Sequence, residues 1–141
     1  MKAERRVLFL SLRPEYADLI LSGGKTVELR RKRPMIERDE MIILYASSPI
    51  KSILGVARVR SVVQGSVNEI WRKFGRDSGI TKKAYEDYFD NAVDATAITL
   101  NGTKRLSRPR SLHAIREIID GFAPPQSFRY LTDSEGRALI S

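Results

Sequence analysis

The chain has 141 residues, with 25 Lys and Arg against 17 Asp and Glu, a formal net charge of +8 and a sequence pI near 10. Apolar residues make up 42%, enough for a core and too many for disorder, and the length suits one domain spanning residues 1–141. Cysteine is absent, which excludes disulfides, thiol nucleophiles and cysteine-ligated metals, and a lone histidine, His113, is too few for an imidazole metal centre.

The N-terminus reaches an apolar stretch, Val7 to Leu12, that is too short for a signal-peptide core with its cleavage site and reads as a first strand. No segment approaches the roughly 20 apolar residues that span a bilayer, so the expectation is a cytoplasmic protein without a membrane partner. Pro14 then opens a short helix, where its missing N–H costs nothing, with Tyr16, Leu19 and Ile20 on one face. Ser22-Gly23-Gly24 stops it, because glycine accepts the left-handed conformation that closes a helix. Thr26 to Lys32 alternates as a strand, with Val27 and Leu29 on one face and Thr26, Glu28 and Arg30 on the other.

Two further strands are expected at Glu40 to Ala46 and Ser52 to Val63. Ser66-Val67-Asn68-Glu69 is a capping-box sequence that starts a helix carrying Val67, Ile70 and Phe74 at helical spacing, with Trp71 as a core anchor. Thr81 caps another helix, whose stripe of Ala84, Tyr85, Tyr88 and Phe89 reads as core rather than as a base-stacking platform. Asp94 to Leu100 reads as a strand, and Asn101-Gly102 signals a type I′ hairpin with a return strand from Thr103. Ser111 caps a helix with Leu112, Ile115 and Ile119 inward, Ser127 to Leu131 forms a last strand, and the tail adds a turn of helix. The sum is an α+β fold, a partly closed barrel of about six strands with short helices around it.

The basic residues cluster rather than scatter. Arg30-Arg31-Lys32-Arg33 forms one group, and Lys104, Arg105, Arg108, Arg110 and Arg116 form a second that no acid interrupts, while Glu86, Asp87, Asp90 and Asp94 gather elsewhere. Such asymmetry favours a polyanion-binding surface, with solubility as the plainer alternative. On the second strand Glu28 and Arg30 share a face, and Lys25 emerges from the glycine turn before it. A surface ion pair contributes only about 0 to 1 kcal/mol, so stability alone hardly calls for this concentration of charge. An ordinary ion pair on an edge strand is the competing reading.

Gly24, Lys25, Glu28 and Arg30, within the GxKxxExR pattern and after a strand and short helix, resemble the signature of ASCH domains. Leu44-Tyr45-Ala46-Ser47-Ser48-Pro49 and Pro124-Pro125-Gln126-Ser127-Phe128-Arg129-Tyr130 extend the likeness more loosely. ASCH domains resemble PUA domains, which implies a small β-barrel with a cleft around the signature. The resemblance implies a module that binds RNA or a nucleotide in RNA metabolism, translation or transcription regulation; no cofactor or metal is expected, and the sequence leaves the oligomeric state open, with a monomer slightly favoured. It places Ser11, Arg13, Gly24, Lys25, Glu28 and Arg30 at the cleft with Ser47 and Gln126 as neighbours, and lets Arg31, Lys32 and Arg33 extend the contact along a backbone. The alternative it implies is a small enzyme, either a ribonuclease or an amidohydrolase acting on N4-acetylcytidine. For an enzyme the candidate groups are Lys25 and Glu28, with a later acid such as Glu86 as a possible partner, but Glu28 stands where the amidohydrolases carry a threonine. His113, flanked by Leu112 and Ala114, is left out of the site.

Overall fold

An apolar run without a polar face is stable only between two covered layers, and the stretch after Arg6 takes such a place. The computed structural model describes residues 5–141. In it β1 (Arg6–Leu12) lies between β3 (Met41–Ala46), its parallel neighbour, and β6 (Phe128–Thr132), its antiparallel one. Leu8, Leu10 and Leu12 enter a cluster with Ala17 and Ile20 of α1 (Pro14–Ser22). Val7 and Phe9 enter a second cluster on the opposite face, with Ile115 of α4 (Leu112–Ile118) and Leu139 of α5 (Asp133–Ile140). The alternation of β1 therefore serves two cores at once.

The sheet order is β2-β5-β4-β3-β1-β6, with β2 at Val27–Arg30, β4 at Ser52–Ser66 and β5 at Asp94–Ser111. Its edges, β2 and β6, share no ladder, yet Arg30 at the end of β2 donates to Ser127, just before β6, and to the carbonyl of Ser11 on β1. The curled sheet is thus drawn together at one point by a side chain, and the expected α+β, partly closed, six-stranded architecture describes it well.

Between β4 and β5 the chain forms α2 (Val67–Phe74), a 3-10 turn at Gly75–Asp77 and α3 (Lys82–Tyr88). These cover β2 and β5 through a third cluster of Val27, Leu29, Ile70, Tyr85, Phe89, Ala95 and Ala97. Ser66, Thr81 and Ser111 cap their helices as expected, each side chain accepting the N–H three residues on. The tail forms α5 rather than a single turn, because Thr132 and Glu135 make a reciprocal capping box at its start.

Asn101-Gly102 does not turn the chain. β5 runs straight through it against β4, pairing Asn101 with Arg58 and Lys104 with Val56, so that one extra residue is accommodated on β5 as a bulge. Gly102 does take a positive φ, 57°, and that conformational freedom serves the bulge instead of a hairpin. Further register shifts fall at Ile53/Gly55 and Val59/Ser61 and bend the two long strands. At Gly55 a Cβ would stand 2.5 Å from the Lys104 carbonyl and 2.6 Å from Leu21 Cδ2, so glycine is what lets α1 close on this ribbon.

Candidate functional site

β2 ends shorter than its alternation predicted, and all four of its residues are buried, including Glu28 and Arg30. The polar face of this strand turns not to solvent but to the floor of a cleft of about 640 Å³. One wall is β1 and α1, with Ser11, Arg13 and Tyr16; another is α3, with Ala84, Asp87 and Tyr88; Ser47 and Gln126 complete the rim.

Three charged side chains lie on that floor almost wholly out of water: Lys25 is 2% exposed, Glu28 6% and Arg30 7%. Lys25 follows the helix stop directly. Gly23 takes φ of 89° and donates to the Ile20 carbonyl at 3.2 Å, after which the Lys25 N–H reaches back to Leu19 O at 3.1 Å. Its Nζ donates to the carbonyl of Ser78 and stands 5.3 Å from the centroid of the Tyr16 ring. Ser78 is itself fixed by its hydroxyl, which donates to Gly75 O at 2.7 Å. Burial pushes the Lys25 ammonium pKa down from its ordinary value; Glu28 opposes that shift and Arg30 adds to it.

Glu28 accepts the N–H of Leu29 on Oε1 at 3.1 Å, and the same oxygen lies 3.7 Å from Arg30 Nε. Arg30 donates from Nη1 to Ser127 Oγ at 2.9 Å and from Nη2 to Ser11 O at 3.0 Å. The Ser11 hydroxyl donates to Pro125 O at 2.7 Å. Glu28 Oε2, Arg30 Nε and Thr96 Oγ1 are buried without a hydrogen-bond partner among the described residues, and Thr96 is the β5 residue paired with Arg30. A buried ionic group with unpaired atoms is a poor device for stability, since well-packed apolar residues of similar size do as well or better. Its concentration at the base of a cleft is the arrangement expected of a working site.

Of the residues singled out from sequence, Ser11, Arg13, Lys25, Glu28, Arg30, Ser47 and Gln126 line this one cleft. Gly24 does not: it packs near Leu19, and the positive φ belongs to its neighbour Gly23. Arg31, Lys32 and Arg33 leave the end of β2 exposed on its outer side; Arg31 donates to the Tyr88 carbonyl at 3.1 Å, and Arg33 joins Arg5, Arg6 and Arg38 around a separate basin. The cluster from 104 to 116 is partly occupied with structure, since Arg110 donates to Ser141 O, Arg116 to Phe122 O, and Arg105 pairs with Asp18 on α1 at 3.5 Å. Glu86 is exposed on α3 and does not line the cleft, and His113 pairs with Glu117 on the surface. Sequence reasoning missed Tyr16, Asp87 and Tyr88 as cleft residues, and Ser78 and Ser127 as the groups that hold Lys25 and Arg30. Among the described residues no cluster of three or more His, Asp or Glu could hold a metal ion, and no helix is long and apolar enough to cross a membrane.

The profile of the ASCH domain matches residues 10–104, from the end of β1 through α1 and β2, and so takes in Ser11, Lys25, Glu28 and Arg30. The chain belongs to the ASCH domain family. A curated relative from Zymomonas mobilis, an "ASCH domain-containing ribonuclease", is 39% identical over 138 residues, 98% of this chain and 93% of its own length. The crystal structure of an ASCH protein from Zymomonas mobilis superposes with a TM-score of 0.90 at 39% identity, covering 95% of this chain and 93% of that one. The large ribosomal subunit protein uL22 of Ureaplasma parvum matches at 26% identity over 88% of this chain, which spans only 39% of that protein. The likeness of this ASCH protein to the Zymomonas protein thus runs end to end, and to the ribosomal protein only in part.

Proposed function

We propose that this chain acts on RNA through the cleft, seating one nucleotide over Lys25, Glu28 and Arg30 and cleaving the RNA there. The observation that carries the reading is the buried ionic floor, where the Glu28 carboxylate, one oxygen unpaired among the described residues, lies 3.7 Å from Arg30 and shares the base of a cleft with Lys25. Glu28 is an acceptor for an exocyclic amine or a ribose hydroxyl, and Arg13, exposed at the rim, is a cation for phosphate. Arg105 pairs with Asp18 of α1, the helix whose Tyr16 lines the cleft, and the basic strip of β5 extends the contact along an RNA backbone that passes over this helix. That part of the binding is salt-sensitive, because it releases counterions.

Cleavage of RNA by its own 2′-hydroxyl needs a base for that proton, an acid for the leaving oxygen and positive charge for the phosphorane. Glu28 serves as the base, and Lys25, whose pKa burial lowers, serves as the acid. The end-to-end likeness to a protein called a ribonuclease supports this over binding alone. Amidohydrolysis of acetylated cytidine has less support, since Glu28 replaces the expected threonine and the Ser11 hydroxyl is engaged with Pro125.

The test is a labelled single-stranded RNA followed by gel and by fluorescence anisotropy, with the native chain, Glu28→Gln and Lys25→Met. The expected result is cleavage by the native chain and a loss of about 100-fold or more in rate for Glu28→Gln, the range for removal of a general base. Binding without cleavage leaves a pure binding module. Neither binding nor cleavage overturns the RNA reading and moves the question to N4-acetylcytidine as substrate.

A further inference from the structure

The aromatic ladder of α2 and α3 has one member out of place. Trp71, Tyr85 and Phe89 pack in sequence, with ring centroids 4.8 Å and 4.5 Å apart, and Tyr85 and Phe89 are buried as core residues. Tyr88 belongs to the same stripe by sequence but is 42% exposed, and it lines the cleft. Its ring meets Phe89 nearly edge to face, at 84° and 4.7 Å, so it rests on the core without entering it. Its backbone is tied from the other side, where Arg31 Nη1 donates to the Tyr88 carbonyl at 3.1 Å.

At 42% exposure, while its neighbours are buried, Tyr88 forgoes a part, roughly half, of the ~1.5–3 kcal/mol that full burial of a large apolar side chain contributes. Stability does not explain that placement. The only other aromatic ring on the cleft wall among the described residues, Tyr16, already has the Lys25 ammonium over it. Tyr88 is therefore the ring in the cleft that remains to receive a flat partner. The floor beneath supplies hydrogen-bonding groups for the edge of such a partner, and the rim supplies Arg13 for its phosphate.

We infer that Tyr88 is a stacking platform for an unpaired nucleobase, and that it decides where along an RNA chain the cleft engages. This rests on the RNA reading above and adds a specific residue to it. A base paired in a duplex has both faces covered by its neighbours, so the platform selects nucleotides splayed out of the stack. Because every base has a π-face, the platform itself discriminates little among the four bases.

The experiment measures affinity for two ligands of equal length and charge: a single-stranded RNA oligomer and a fully abasic ribose-phosphate oligomer. The chains compared are native, Tyr88→Ala and Tyr88→Phe. Stacking of one base on an aromatic side chain corresponds to a loss of about 5- to 100-fold on truncation. The expected result is a loss of that size for Tyr88→Ala on RNA, under twofold change on the abasic oligomer, and near-native affinity for Tyr88→Phe on both. An unchanged affinity of Tyr88→Ala for RNA overturns the platform while leaving the RNA reading intact. An equal loss on both oligomers also overturns it, because the contact would then not involve a base. Absence of RNA binding by the native chain overturns both.

Discussion

Replacing Arg30 by methionine keeps an unbranched apolar stem and removes the guanidinium that draws the curled sheet together. Two hydrogen bonds from a charged donor disappear, to Ser127 Oγ at 2.9 Å and to Ser11 O at 3.0 Å, each contributing about 1.5–3 kcal/mol. Glu28 loses the cation 3.7 Å away and stays buried, and breaking a buried pair in this way costs roughly 3–5 kcal/mol. That range already contains the loss of the two hydrogen bonds, and because Arg30 and Lys25 repel each other the substitution also relieves Lys25 slightly, which puts the net cost near the lower end, about 3 kcal/mol. For a chain of this length total stability is on the order of 7–20 kcal/mol, so the change is large without abolishing folding. Urea unfolding followed by circular dichroism reads it, and with a slope of about 2 kcal/mol per molar the midpoint falls by about 1.5 M. Adding Glu28→Gln to Arg30→Met should recover about 1–3 kcal/mol, because the stranded charge is then gone. A single substitution costing under about 1 kcal/mol, or a double one costing the sum of the two singles, would refute the coupled buried pair.

Two further outcomes follow from the packing and from the titration of the floor. Gly55→Ala places a Cβ 2.5 Å from backbone oxygen of Lys104, which cannot swing aside, and should lower the urea midpoint by an amount equivalent to about 2 kcal/mol or more. Lys25 has a folded pKa below its ordinary 10.5, so the unfolded chain binds more protons than the folded one between the two values, and stability rises with pH across that window. Tyr45 and Tyr85, whose pKa values burial raises above 10.0, pull the other way only above about pH 10, so the rise is to be read below it. Lys25→Met should flatten that part of the stability profile, and an unchanged slope would place the titrating group elsewhere.

The fold was largely legible because local signals agreed with the global one. Ser66, Thr81 and Ser111 announced helix starts that the structure keeps, and the alternation of Val27 to Arg30 placed Glu28 and Arg30 on one face. Asn101-Gly102 misled because a positive φ serves a bulge as readily as a turn, and only the partner strand, through the pairing of Asn101 with Arg58, decides between them. The chemistry of the floor was legible in residue type and spacing, but its burial was not, since that depends on α3 and on the segment before β6, far away in sequence. Tyr88 shows the same limit from the other side: helical periodicity put it with the core stripe, while the end of α3 exposes it to the cleft. The carbonyl of Ser78 that receives Lys25 carries no side-chain signature at all.

Whether RNA engages the cleft or only the basic strip is read residue by residue in a nuclear magnetic resonance titration of the labelled chain with a short single-stranded RNA. With the nucleotide seated in the cleft, the largest amide shifts fall at Ser11, Lys25, Glu28, Ser47, Ala84 and Gln126, and they persist at raised salt when shifts along Lys104 to Arg108 fade. Shifts confined to the 104–116 strip and lost together as salt rises would mean that the cleft takes no part in binding RNA.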